Sequence, residues 1–198
     1  MQVENNEKAT ESKQGMVIYC DGGCRPNPGP GGWGLHGYLF SYQAPKKGTG
    51  LSDYALTASG YVPKAKESEK TPRITPIHYV DGYGCFSFDI SNNLAELAAG
   101  INALRHASQY DVDLVQIYTD SEHVCNGINS WVHNWRNNGW LKADGSEIAN
   151  VKYWRELSEL RDTLVARGVE VKFSWVKGHT DALKEHDTII GNVVADRL

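Results

Sequence analysis

Four acidic residues carry the chemistry available to this sequence. Asp21 closes the short apolar run Met16-Val17-Ile18-Tyr19-Cys20, and Asp120 closes a β-branched run at 112–119. Both runs read as buried strands. Open α/β sheets bind ligands beyond the carboxyl ends of their strands, so the two aspartates can share one crevice. Taken singly, each is also an ordinary turn or cap residue. Glu96 stands three residues after Asn93, where a capping-box glutamate would reach back to a helix start. Residues three, four and seven further on are Ala99, Gly100 and Ala103, a shaved helix face able to approach a sheet closely. A carboxylate on such a packed face has to be paired or hydrogen-bonded. Asp196 follows Asn192 on a polar stripe opposite Ile190, Val193 and Val194, the pattern of a solvent face. Together the four form an all-oxygen set of the kind that holds magnesium or manganese.

The elements that must position these acids fit one domain. The chain has 198 residues, 40% hydrophobic and 22% charged, enough for a real core. Residues 1–15 are polar and read as a flexible tail. A Gly/Pro cluster at 26–34 lacks the GK[ST] of a phosphate loop and reads as the turn leading into a second strand near 34–40. Residues 41–77 hold four prolines and a lysine excess, with only 54–62 resembling a strand, and read as an enlarged connection. A third strand is expected within 78–89. A helix follows over 93–107, carrying Leu94, Leu97, Ala98, Ile101 and Leu104 at helical spacing, with Ser91, Asn92 or Asn93 as its cap. Beyond the 112–119 strand come short helices over 121–136, a longer helix over 151–166, a fifth strand over 169–176 and a last helix from about Ile189. Strands first, then strand–helix alternation, predict a mixed α/β sheet with helices on its faces.

Charge and cysteine usage narrow the function classes. The formal charge is −4, from 20 basic and 24 acidic residues. Setting aside the four candidate acids leaves 20 against 20, so the acidity does not exclude a nucleic-acid partner. Cys20, Cys24, Cys85 and Cys125 lack paired CxxC spacing; reduced thiols in a cytoplasmic setting are expected, without a structural zinc. No run approaches the roughly 18 apolar residues of a membrane span, and the opening MQVENNEKATESKQ lacks a signal peptide's apolar stretch. No membrane partner is expected, and the chain is expected to be a monomer.

The order and spelling of the motifs carry a family resemblance. They are Tyr19-Cys20-Asp21-Gly22-Gly23-Cys24, Asn27-Pro28-Gly29-Pro30-Gly31-Gly32-Trp33-Gly34, Asn92-Asn93-Leu94-Ala95-Glu96-Leu97 and Tyr118-Thr119-Asp120-Ser121. Then come Trp131-Val132-His133-Asn134-Trp135, Trp175-Val176-Lys177-Gly178-His179, and Gly191-Asn192 with Ala195-Asp196-Arg197-Leu198. In this order they resemble the type 1 ribonucleases H (ribonuclease HI) over residues 16–198, with 41–77 and 181–187 as insertions. The resemblance implies a ribonuclease H-like fold, a five-stranded mixed sheet flanked by helices. It implies hydrolysis of the RNA strand of RNA/DNA hybrids, leaving 5′-phosphate and 3′-hydroxyl ends. It makes Asp21, Glu96, Asp120 and Asp196 the metal-binding carboxylates for two Mg2+ ions, with Mn2+ as a substitute and Asp21 bridging both. It makes His179 an aid to proton transfer or product release, a task suited to an imidazole titrating near neutrality. Seventeen positions separate His179 from Asp196, more than the family pattern, so His186 competes for that role.

For the hybrid itself, the resemblance assigns Asn27, Asn92 and Asn93 to the substrate near the cut, Ser91 and Asn150 to a DNA-phosphate pocket, and Trp131 and Trp135 to the DNA strand. Some family members add an arginine to that pocket where this chain has Asp89. Turn and cap chemistry is the plainer account of the asparagines, and both can hold at once. Trp131 and Trp135 stand four apart beside Arg136, able to offer aromatic and cationic contacts together, whereas Trp154 and Trp175 read as core. The competing functions are another nuclease of the same superfamily acting on structured DNA, a detached ribonuclease domain of a polymerase, and a binding module that keeps the fold without catalysis.

Overall fold

A computed structural model describes residues 12–43, 54–57, 60–63 and 76–178. In chain order it contains β1 (Ser12–Cys24), β2 (Gly31–Gln43), β3 (Tyr54–Thr57), β4 (Gly60–Pro63), β5 (Pro76–Cys85) and α1 (Asn92–Ala107). These are followed by β6 (Leu114–Thr119), α2 (Glu122–Asn126), a π-helical turn (Gly127–Trp131), α3 (Val132–Asn137), α4 (Val151–Ala166) and β7 (Glu170–Trp175). The five-stranded mixed sheet runs β5-β2-β1-β6-β7. Its β1–β2 and β2–β5 pairs are antiparallel; β1–β6 and β6–β7 are parallel. A separate two-stranded sheet joins β3 and β4.

The central strands are buried on both faces, which explains why β1 reads as a continuous apolar run instead of alternating. On one face Met16, Ile18 and Cys20 join Leu35, Leu39 and Val80 in a core completed by Leu97, Ile101 and Leu104 of α1 and Trp154 and Leu157 of α4. On the other, Val17 and Tyr19 pack with Tyr38, Phe40 and Leu114.

Several boundaries differ from the sequence reading. Residues 12–15, expected in the tail, belong to β1, and Gly22 to Cys24 extend its far end in register with Gly31 to Trp33. Glycines that signal a turn locally are here strand residues that allow close backbone approach. The expected connection 41–77 gives up Ser41–Gln43 to β2 and Pro76 and Ile77 to β5, and in place of the one strand expected over 54–62 stand β3 and β4, two short strands paired antiparallel. The tail 1–11, most of 44–75, the insertion 181–187 and the last helix lie outside the described residues. Among the three candidate caps, Ser91 is the one used: its Oγ accepts from the Leu94 N–H at 3.3 Å. Glu96 then sits too far into α1 for the capping-box role. Trp154 is core, 1% exposed, but Trp175 is 46% exposed, a correction to its expected burial.

The π-helical turn starts at a tight packing contact. A Cβ at Gly127 would overlap the indole of Trp154, so only glycine lets this turn cross the buried ring. Gly127→Ala should cost about 1–3 kcal/mol by overpacking. Urea denaturation measures this, and an unchanged midpoint would contradict the packing.

Candidate active site

Three of the four candidate acids converge. Asp21 lies in β1 and accepts the Gly22 N–H through Oδ1 at 2.7 Å. A Cβ at Gly22 would overlap the Ala95 carbonyl, so the first turns of α1 rest directly on the β1 backbone. This approach brings Glu96 to the end of the strand that carries Asp21. Asp120 follows the last residue of β6. All three line one crevice of about 920 Å³, whose floor includes Gly22, Gly23, Gly32, Gly34 and Gly84.

Each acid has a restraint on it. The Ser121 hydroxyl donates to Glu96 Oε2 at 2.6 Å and accepts from the Val124 N–H at 3.1 Å, so one residue both caps α2 and holds the glutamate. The Trp175 indole N–H donates to the Asp120 backbone carbonyl at 2.9 Å. Gly178 lies against the Asp120 carboxylate, and a Cβ there would overlap Oδ2.

The electrostatics of the crevice are those of like charges held close together. Burial raises the pKa of Glu96 above the ordinary carboxyl value; the Ser121 hydrogen bond opposes the shift and Asp120 repulsion adds to it. The neighbouring Cys20 thiol is pushed up by burial first, then by the charges of Asp21 and Asp120. Among the described residues, no Lys or Arg pairs with Glu96 or Asp120. Oxygen donors that repel one another suit a hard divalent cation. As placed, no group of three or more His, Cys, Asp and Glu among the described residues could hold a metal ion by itself. Asp196, the fourth candidate, lies outside the described residues, as do His179 and His186.

The asparagines form a small network at the crevice rim. Asn92 Oδ1 accepts from the Cys24 backbone N–H at 3.0 Å and from the Cys24 thiol at 3.1 Å. Asn27 Oδ1 accepts from the Asn92 N–H at 3.3 Å. With both carbonyl oxygens engaged, the amide NH2 groups remain as donors. Asn93 is exposed on the first turn of α1. Ser91 is occupied as the α1 cap, and Asn150 precedes α4 in a left-handed conformation at φ 59° without a side-chain capping bond.

Away from the crevice, Trp131 and Trp135 form a tilted pair with ring centroids 5.8 Å apart. His123 packs edge-on against both Trp131 and Trp154, and burial lowers its pKa. Arg136, expected to add a cation beside this pair, is ion-paired with Asp162 of α4. The sequence reading missed Ser121, Trp175 and Gly178 as restraints. Their signals are a serine directly after a strand-end aspartate and a Trp-x-x-Gly pattern that begins at the last residue of β7.

A mixed sheet with acids gathered in one crevice at its carboxyl edge, donor amides at the rim and an aromatic pair away from it fits an α/β hydrolase of ribonuclease H-like fold. The chain belongs to the ribonuclease H family. The RNase H family model matches residues 83–198. A Ribonuclease H of Treponema pallidum subsp. pallidum is 33% identical over 164 residues, covering 83% of this chain and 80% of that protein. Among solved structures, LC9-RNase H1, a type 1 RNase H with the type 2 active-site motif, superposes with a TM-score of 0.60 at 22% identity, covering 93% of this chain and 70% of that one. The foamy viral protease-reverse transcriptase in complex with RNA/DNA hybrid superposes with a TM-score of 0.54 at 16% identity, covering 100% of this chain and 21% of that one. These superpositions show the shared fold.

Two variants probe the site. Gly178→Ala should leave the fold intact but displace the Asp120 carboxylate, lowering hybrid cleavage by at least about tenfold, since small misplacements of a reacting group are costly. Unaltered turnover would mean that this contact is not needed. For Glu96→Gln, the sign follows from a folded pKa above the unfolded one: the ionised form destabilises the fold at neutral pH, and the penalty is relieved as pH falls through the folded pKa. Glu96 is part-exposed, so solvent screening limits the effect. Without divalent metal, Glu96→Gln should raise the melting temperature at neutral pH by a few degrees, and the gain should shrink in acid. A lower melting temperature would contradict the repulsion.

Proposed function

We propose that this chain is an endoribonuclease that hydrolyses the RNA strand of RNA/DNA hybrids by a two-metal-ion mechanism, leaving 5′-phosphate and 3′-hydroxyl ends. The observation that carries the reading is the single crevice lined by Asp21, Glu96 and Asp120 at the carboxyl edge of a ribonuclease H sheet. Asp21, Glu96, Asp120 and Asp196 would hold two Mg2+ ions, with Mn2+ as substitute. When bound, such ions supply a strong oxygen nucleophile at neutral pH and neutralise charge on the leaving 3′ oxygen.

The protein's own groups do the positioning. Ser121 keeps Glu96 turned toward the crevice, and Trp175 anchors the backbone of Asp120. Asn92 and Asn27, their carbonyl oxygens held at the Cys24 turn, present NH2 donors to the 2′-hydroxyl that distinguishes RNA from DNA. Asn93 adds a further donor from the exposed start of α1, and Ser91 and Asn150 bound the DNA-phosphate pocket. Trp131 and Trp135 pack along the DNA strand. His179 moves a proton or speeds product release, with His186 as the other candidate. The reading includes a monomer acting in a cytoplasmic setting; the four cysteines are free. No described helix is long and apolar enough to cross a membrane.

A cleavage assay decides the reading. A labelled RNA strand is presented in an RNA/DNA hybrid with magnesium, manganese or EDTA, beside duplex RNA and duplex DNA, with Asp120→Asn as control. The expected result is metal-dependent cutting of the hybrid's RNA alone, lost in the control. Hybrid binding without cutting under either metal would make the chain a binding module, and cutting of structured DNA would move it to another branch of the superfamily.

A further inference from the structure

Resting on the hybrid-cutting reading, we propose that Arg25 and Tyr83 are RNA-strand contacts flanking the acidic crevice, Arg25 taking a backbone phosphate and Tyr83 packing against a neighbouring ribose. The first argument is charge. A polyanion entering this crevice meets Asp21, Glu96 and Asp120, and among the described residues the one Lys or Arg lining it is Arg25. An arginine beside three carboxylates would ordinarily be consumed by an ion pair. Among the described residues, Arg25 forms neither an ion pair nor a side-chain hydrogen bond. Its backbone is fixed, because its N–H donates to the Pro30 carbonyl at 3.0 Å. An exposed guanidinium on an anchored turn is suited to bidentate phosphate contact. The contrast is Arg136 near the tryptophan pair, whose charge is committed to Asp162.

The second argument is register. Asp21 pairs with Gly34 on β2, and Gly34 pairs with Tyr83 on β5. Residues directly opposite one another share a sheet face, so Asp21 and Tyr83 stand on the same face two strand spacings apart, roughly 10 Å, with no side chain between them. Tyr83 is 74% exposed and lines the crevice. Tyr79, four residues back along β5 on the same face, stacks with His36 and meets Tyr38 edge-on, whereas Tyr83 has no ring partner among the described residues. Bases in a hybrid are already paired and stacked, so what an outward tyrosine can cover is the sugar, its ring against the ribose and its hydroxyl near the 2′-oxygen. Arg25 lies four residues beyond Asp21, about 13 Å along the strand direction. The two contacts therefore leave Asp21 in different directions across a glycine floor.

The test uses the full chain and the variants Arg25→Gln, Tyr83→Ala and Tyr83→Phe. Readouts are hybrid binding in EDTA across a sodium chloride series, KM and kcat with magnesium, and the map of cut positions along a long hybrid. Arg25→Gln should weaken binding by about tenfold and reduce the salt slope by about 0.7–0.9, as for one lost phosphate contact. Tyr83→Ala should raise KM and redistribute the cuts, with Tyr83→Phe restoring the affinity through its ring. Wild-type-like binding, salt slope and cut map for Arg25→Gln and Tyr83→Ala, in a background where the wild type is active, would overturn the proposal alone. A wild type that cuts no hybrid would remove the underlying reading, and the proposal with it.

Discussion

Like charges must be brought together here against their mutual repulsion, and the approach of α1 to β1 is what makes this possible. At Gly22 the strand backbone meets the Ala95 carbonyl with no room for a side chain. That spacing brings Glu96 to the strand end that carries Asp21. A larger residue at Gly22 would lift the helix and separate the acids. The buried alanines Ala95, Ala99 and Ala103 on the same helix show how small side chains keep the packing close.

The opposing cost falls on the ionised form of the acids. Burial and Asp120 repulsion disfavour ionised Glu96, and the same field acts on the Cys20 thiol. Among the described residues, neutral donors restrain the arrangement: the Ser121 hydroxyl on Glu96, the Gly22 N–H on Asp21 and the Trp175 indole on the Asp120 backbone carbonyl, and no Lys or Arg pairs with Glu96 or Asp120. A neutral donor on a carboxylate does not occupy the place of a cation, so this geometry is compatible with the metal site proposed above.

Much of this was legible in sequence because strand ends and helix faces have short-range signatures. The apolar runs before Asp21 and Asp120 are central strands, and the small residues after Glu96 are a packed helix face. Where the reading failed, the deciding contact was tertiary. Gly22 and Gly23 signal a turn locally, yet they continue β1 because β2 supplies the matching partners. Trp175 looks like core by residue type, yet lies part-exposed with its indole N–H on Asp120. Arg136 looks like a free cation beside two tryptophans until α4 brings Asp162 against it. Ser121 could be named as a cap from its position after Asp120, but not as the partner of a glutamate on another helix.

The central claim is that these acids form one cation site, and calorimetric titration of magnesium or manganese into the full chain, beside Asp120→Asn, tests it without reference to turnover. The account predicts saturable binding that is lost or strongly weakened in the variant. Absence of saturable binding by the wild-type chain, or binding undiminished in Asp120→Asn, would contradict it.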